Sequence, residues 1–276
     1  MVGSTYGQAA CCGPRKGHTV PSVKLARDTW LVFQQQMTLM LRSRTWLFFG
    51  LAQPVTYLVL FAPMLKPALA SMGADTYGDA YRVYVPGLLV VMCLYGGLFT
   101  GFGLLAELRA GIIERARVTP VSRSALLLGR ALRDVASLLV QALIITAIAV
   151  PFGLAVGVID LLLAYLLLCV IALMTTSISY AVTLLVRKEG ALGPVMNTVA
   201  QPVALLAGVL LPVALAPAWI QAIADWNPFY WVTNGMRSLF EGNTGDTAIW
   251  QGLVGVTVLA VIAISWSTRL FARTIR

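Results

Sequence analysis

Six runs of about 20 mostly apolar residues, near 46–65, 84–106, 135–158, 161–186, 195–214 and 250–271, constrain this chain more than any other feature. As an α-helix, at about 1.5 Å per residue, each run is long enough to cross a hydrocarbon core about 30 Å thick. The chain is 59% hydrophobic and 11% charged, with a mean hydropathy of +0.82, so a soluble domain of this size has no water-facing place for most of its side chains. Lipid is the solvent for most of it, and its backbone must hydrogen-bond to itself within helices. The runs predict an all-α membrane protein with six transmembrane helices over 46–276.

Orientation follows from where Lys and Arg fall once the six spans are removed. One side collects the basic N-terminal segment, the stretch 107–134, Arg187, Lys188, Arg269, Arg273 and Arg276. The other side holds Lys66, Arg82 and Arg237 among the acids Asp75, Asp79, Asp160, Asp225, Glu241 and Asp246. The first side is cytoplasmic, which places the protein in the plasma (inner) membrane as a multi-pass chain with both termini inside.

Residues 1–21 read as a flexible cytoplasmic tail, small, polar and basic. No apolar h-region precedes Ala9, Ala10 and Cys11, so the tail does not read as a signal peptide. Residues 22–45 place Trp30, Phe33, Met37 and Leu41 among Lys24, Arg27, Arg42 and Arg44, which suits an amphipathic helix along the inner leaflet or a cytoplasmic extension of the first span.

The formal charge of +9 does not indicate nucleic-acid binding, because the basic residues sit between apolar runs without interleaved aromatics. The four cysteines form neither a disulfide framework nor a metal spacing, and the single histidine, His18, lies beside Lys16 in the tail. No metal site and no catalytic constellation can be assembled from these residues. A phosphate-cradling Gly-x-x-x-x-Gly-Lys-Ser/Thr loop is also absent. Every charged residue is expected at a span end or in a loop, which disfavours an ion-coupled carrier. If the chain pumps, ATP and Mg belong to another subunit and no cofactor binds here.

The stretch 213–249 looks apolar enough for a seventh span, but Pro217 and the Asn227-Pro228 pair break it into pieces too short to cross. It reads as two short re-entrant helices in the outer leaflet, between spans 5 and 6. Trp219, Trp226, Trp231 and Trp250 lie at headgroup level, as lipid anchors or as substrate contacts.

Two local features point to function. The stretch from Glu107 to Asp134 carries Arg109, Arg115, Arg117, Arg123, Arg130 and Arg133, and Thr119 followed by Pro120 reads as a helix N-cap and first residue. Two short helices with a sharp joint are expected there. Within the spans, Gln53 with Tyr57 and Asn197 with Gln201 are four apart and share a helix face. Such faces turn toward other helices or toward a wet substrate path, since an unpaired amide in hydrocarbon costs several kcal/mol. Pro54 and Pro63 in the first span, and Pro194, Pro202 and Pro212 around the fifth, bend the two helices that would form the moving wall.

In the first of these stretches Glu107, Gly111, Glu114, Thr119, Pro120, Gly129 and Arg130 follow one motif, with Ile112 in place of the usual Thr or Ser and Ala116 in place of Leu. A second patch contains Gly208, Pro212, Pro217, Trp219, Asn227, Pro228 and Arg237. Across residues 25–276 the sequence resembles the type-2 ABC transporter permeases, and among them the daunorubicin/doxorubicin-resistance-type export subunits. The resemblance implies a half-transporter that pairs with a second permease copy or homologue above two ABC-type ATPase subunits. It implies an ATPase-coupling helix between spans 2 and 3, carried by Glu107, Arg109, Gly111, Glu114, Arg115, Thr119, Pro120 and Arg123, with the surface helix also in contact with the ATPase. It further implies an exporter of hydrophobic or amphiphilic small molecules, as in drug efflux. Export of a lipid-linked glycan or lipopeptide, or a non-transporting membrane scaffold, are the alternatives.

Overall fold

The computed structural model describes residues 22–42, 50, 52, 54–60, 77–111, 123–208, 213 and 216–274. Among them all regular structure is helical. In chain order the elements are α1 (Ser22–Arg42), a helical segment at 54–60, α2 (Tyr77–Arg109), α3 (Arg123–Ala149) and a 3-10 turn (Val150–Phe152). There follow α4 (Val158–Val186), α5 (Glu189–Leu206), α6 (Ala218–Ala224), α7 (Pro228–Phe240) and α8 (Thr247–Thr274). Among the described residues, four helices are long and apolar enough to cross a membrane: Tyr81–Arg109, Ser124–Phe152, Val158–Val186 and Thr247–Arg273.

The bundle is built around α4, which packs against α2, α3, α7 and α8. Its apolar residues Ala164, Leu168 and Ile171 enter the common core. One turn further on, α4 presents the small polar residues Thr175, Ser179 and Thr183 to Gly97 and Gly101 of α2. Gly101 N donates to Ser179 Oγ at 3.0 Å, and that hydroxyl donates to the Leu98 carbonyl. A Cβ on Gly101 would stand 3.1 Å from the Ser179 carbonyl oxygen, so glycine is what lets the two backbones approach this closely.

Several sequence-based boundaries shift. The third span does not run 135–158: its helix starts at Arg123 and gives way at Val150–Phe152. Pro151 removes a backbone donor there, and Gly153 takes a left-handed φ of 98°. Of the stretch 107–134, where a pair of short helices is expected, residues 112–122 lie outside the described residues. Residues 107–109 are the last turn of α2, and 123–134 are the first turns of α3. The fifth run was placed at 195–214, but its helix is Glu189–Leu206, 18 residues or about 27 Å. The first run and the tail lie largely outside the described residues. Breaks at Pro217 and Asn227-Pro228 do divide the outer stretch into two short helices, α6 and α7.

Candidate functional site

The C-terminal end of α2 and the N-terminal turns of α3 carry a cluster of paired charges. Arg130, 2% exposed, pairs with Glu107 across the two helices. One turn along α3, Arg133 donates through Nε (2.8 Å) and Nη2 (2.6 Å) to Asp134 Oδ1. Tyr180 of α4 donates its hydroxyl to Asp134 Oδ2, which satisfies the second carboxylate oxygen. Arg133 Nη1 reaches Gln36 of α1 at 2.8 Å. The same α1 lies directly on α3, with Thr29 O only 2.9 Å from where a Cβ on Gly129 would stand. This contact leaves Trp30, Leu31, Leu39 and Leu41 of α1 exposed.

Three charges expected in a loop before the third span lie in its helix instead. Arg130, Arg133 and Asp134 lie within the span-length helix Ser124–Phe152, and Asp134 is 5% exposed. Mutual pairing lets them be there, since a buried carboxylate without a partner would be strongly unfavourable. Sequence reading counted charges along the chain, whereas Arg130 pairs with Glu107 of α2 and Asp134 meets Tyr180 of α4. Their signal was the spacing of Asp134, Ser137 and Gln141, three and then four residues apart on one face.

Of the residues expected to couple to an ATPase, Glu107, Arg109 and Gly111 lie at the end of α2, where Gly111 takes φ 67°. Arg109 Nη1 meets Glu189 Oε2 of α5 at 2.7 Å, so the exit of α2 touches the entry of α5. Arg123 opens α3. Glu114, Arg115, Thr119 and Pro120 lie outside the described residues.

Beside the charge cluster is a cavity of about 720 Å³ bounded by α1, the 54–60 segment, α2 and α3. Of the expected path residues, Tyr57 lines it, together with Tyr95, Glu107, Arg133 and Gln141. Gln53 lies outside the described residues. Asn197 and Gln201 are elsewhere, both exposed on α5, with Leu205 one turn further along the same face. The structure therefore separates Tyr57 from Asn197 and Gln201.

In the outer stretch, Asn227 caps α7 by accepting from Phe229 N at 3.0 Å, with Pro228 at the first helical position. Its Nδ2 also donates to Val203 O at 2.9 Å, which ties α7 to α5. Arg237 donates through Nη2 to Gly208 O at 2.6 Å and through Nε to Val83 O at 3.4 Å, and burial lowers its pKa below the usual guanidinium value. Asn227 and Arg237 thus fasten α7 to its neighbours. Trp219 and Trp226 are exposed, and Trp231 donates its indole N–H to Asp225 O at 2.8 Å.

A family model described as ABC-2 type transporter matches residues 27–240. The daunorubicin resistance ABC transporter permease protein DrrB1 of Streptomyces coeruleorubidus is 24% identical over 214 residues, covering 76% of this chain and 73% of that protein. A putative transport permease, ycf38, of Cyanophora paradoxa is 22% identical over 228 residues, covering 82% and 78%. The ycf38 protein of Pyropia yezoensis is 24% identical over 195 residues, covering 70% and 66%.

Proposed function

We propose, from the premise that this chain belongs to the ABC-2 type transporter family and is a membrane-spanning transport subunit, that it is the permease half of an exporter of hydrophobic or amphiphilic small molecules. A separate ABC-type ATPase supplies the energy, and ATP and Mg bind there. Two ATPase copies serve two permease chains, each crossing the plasma (inner) membrane six times with both termini in the cytoplasm.

The observation that carries this reading is the α5 face. Asn197 and Gln201 are exposed on a helix whose neighbours in the bundle are α2, α4, α6 and α7. An amide left in hydrocarbon costs several kcal/mol, so this face is suited to a second permease copy and a wet path between the two chains. Arg109 touching Glu189 supports a mechanical link: displacement of the α2 exit at the cytoplasmic surface is passed to the entry of α5. Pro194 and Pro202 within α5 lack backbone donors and make that helix the one most easily bent. Drug efflux is supported by the name of the Streptomyces relative, a daunorubicin resistance permease.

The test is efflux of a fluorescent amphiphile from inverted vesicles containing this chain, with and without the ATPase subunit. Transport is expected only with the ATPase and ATP, and Asn197→Leu with Gln201→Leu should lower it. Transport by this chain alone, without ATP, refutes the proposal.

A further inference from the structure

The cavity beside the charge cluster is not part of the α5 face, because no α5 residue lines it. We infer that it is a second site within each chain, and that it holds an aminophospholipid of the cytoplasmic leaflet. The inference uses the orientation proposed above but not the export reading.

Three features select this ligand. The first is charge. Glu107, Asp134 and Arg133 line the polar end of the cavity, and Arg130, outside the lining, pairs with Glu107, so a ligand there meets groups of both signs. A purely anionic headgroup would meet two carboxylates and a purely cationic one the Arg133 guanidinium. A zwitterion with a primary ammonium and a phosphate suits both signs. Glu107 engages Arg130 through Oε2, which leaves Oε1 for an ammonium. Arg133 carries five N–H donors, of which Nε, Nη1 and Nη2 each use one, so two remain for a phosphate oxygen.

The second feature is the wall above the charges. Tyr57, Met92, Tyr95 and Phe99 continue the cavity as an aromatic and thioether surface. The Tyr95 and Phe99 rings stack at 6.5 Å with planes 15° apart. Such a surface accommodates glycerol and the first methylenes of an acyl chain.

The third is space. A Cβ on Gly103, which lines the cavity, would meet nothing within 4 Å. Leu39 and Met40 of α1 form the remaining side, at the level where an inner-leaflet lipid enters from the membrane. The volume lies within the roughly 300–1,000 Å³ of sites that hold a drug-sized molecule.

The experiment is native mass spectrometry of the purified full chain after incubation with phosphatidylethanolamine, phosphatidylcholine or phosphatidylglycerol of equal chain length. Phosphatidylethanolamine should be retained about tenfold better than phosphatidylglycerol, with phosphatidylcholine between them because it lacks ammonium N–H donors. Gly103→Trp fills the open space and should abolish that preference, while Gly103→Ala should keep it. Equal retention of phosphatidylethanolamine and phosphatidylglycerol by the wild-type chain overturns the inference, as does an unchanged preference in a folded Gly103→Trp. If Gly103→Trp fails to fold, the wild-type preference decides alone. Loss of efflux in vesicles with the preference intact would refute the export reading and leave this one standing.

Discussion

Replacing Arg130 with Met tests whether the charge cluster between α2 and α3 works as a unit. Arg130 is 2% exposed and its partner Glu107 has a side chain 20% exposed, so the mutation strands a mostly buried carboxylate while the thioether fills the volume. Removing one partner of a buried pair costs about 3–5 kcal/mol. Water can still reach Glu107 through its exposed fifth, which places Arg130→Met near the low end, about 3 kcal/mol. Glu107→Gln strands the guanidinium instead, and Arg130 Nε and Nη1 already have no hydrogen-bond partner among the described residues. That single mutant should cost at least as much. The double mutant loses both charges together and should fall short of the summed single effects by about 2 kcal/mol. Chemical unfolding in detergent micelles, followed by circular dichroism for all four proteins, measures the difference. Additivity within about 0.5 kcal/mol would mean that the two side chains do not interact, and refutes the pairing.

Gly101→Ala pushes a methyl into Thr183 Oγ1 and Ser179 Oγ, the latter 2.6 Å away, with the Ser179 carbonyl oxygen at 3.1 Å, and should destabilise the α2–α4 contact by about 1–3 kcal/mol, read as a lower melting temperature in the same micelles. Arg109→Glu should uncouple ATP hydrolysis from efflux, and adding Glu189→Arg should restore coupling; the pair is exposed and worth at most about 1 kcal/mol, so unfolding should scarcely change, and failure of the swap to rescue removes the proposed link. Asp246 is held below the usual carboxylate pKa, first by the Ala248 N–H at 3.0 Å and then by the Ser238 hydroxyl at 2.6 Å. A depressed folded-state pKa contributes stability that is present above the unfolded value and is lost as pH falls through the folded one. Stability should therefore decline with acidification below about pH 4, less steeply in Asp246→Asn, as pH-dependent unfolding curves would show.

Much of the architecture was legible in the chain because its causes are local. A run of apolar residues long enough to cross lipid must form a helix, whatever its neighbours are. Pro217 and Asn227-Pro228 interrupt α6 and α7 by removing donors and supplying a cap, and both effects act within a few residues. Helix ends were less legible. Arg123 to Asp134 looked like a separate cytoplasmic piece because it is charged, yet it continues into α3. Glu107 offsets the Arg130 charge and Tyr180 hydrogen-bonds to Asp134, and those partners cannot be identified from the charges alone.

The sequence by itself determined the solvent and the helical class, since these follow from composition and from distances along one helix. Only the tertiary structure decided which polar groups meet. Tyr180 and Asp134 are 46 residues apart, and Arg109 and Glu189 are 80 apart. Contacts at such separations depend on how α2, α3, α4 and α5 pack. The same packing placed Tyr57 in a cavity and left Asn197 and Gln201 on an open face, although both pairs read alike in one dimension.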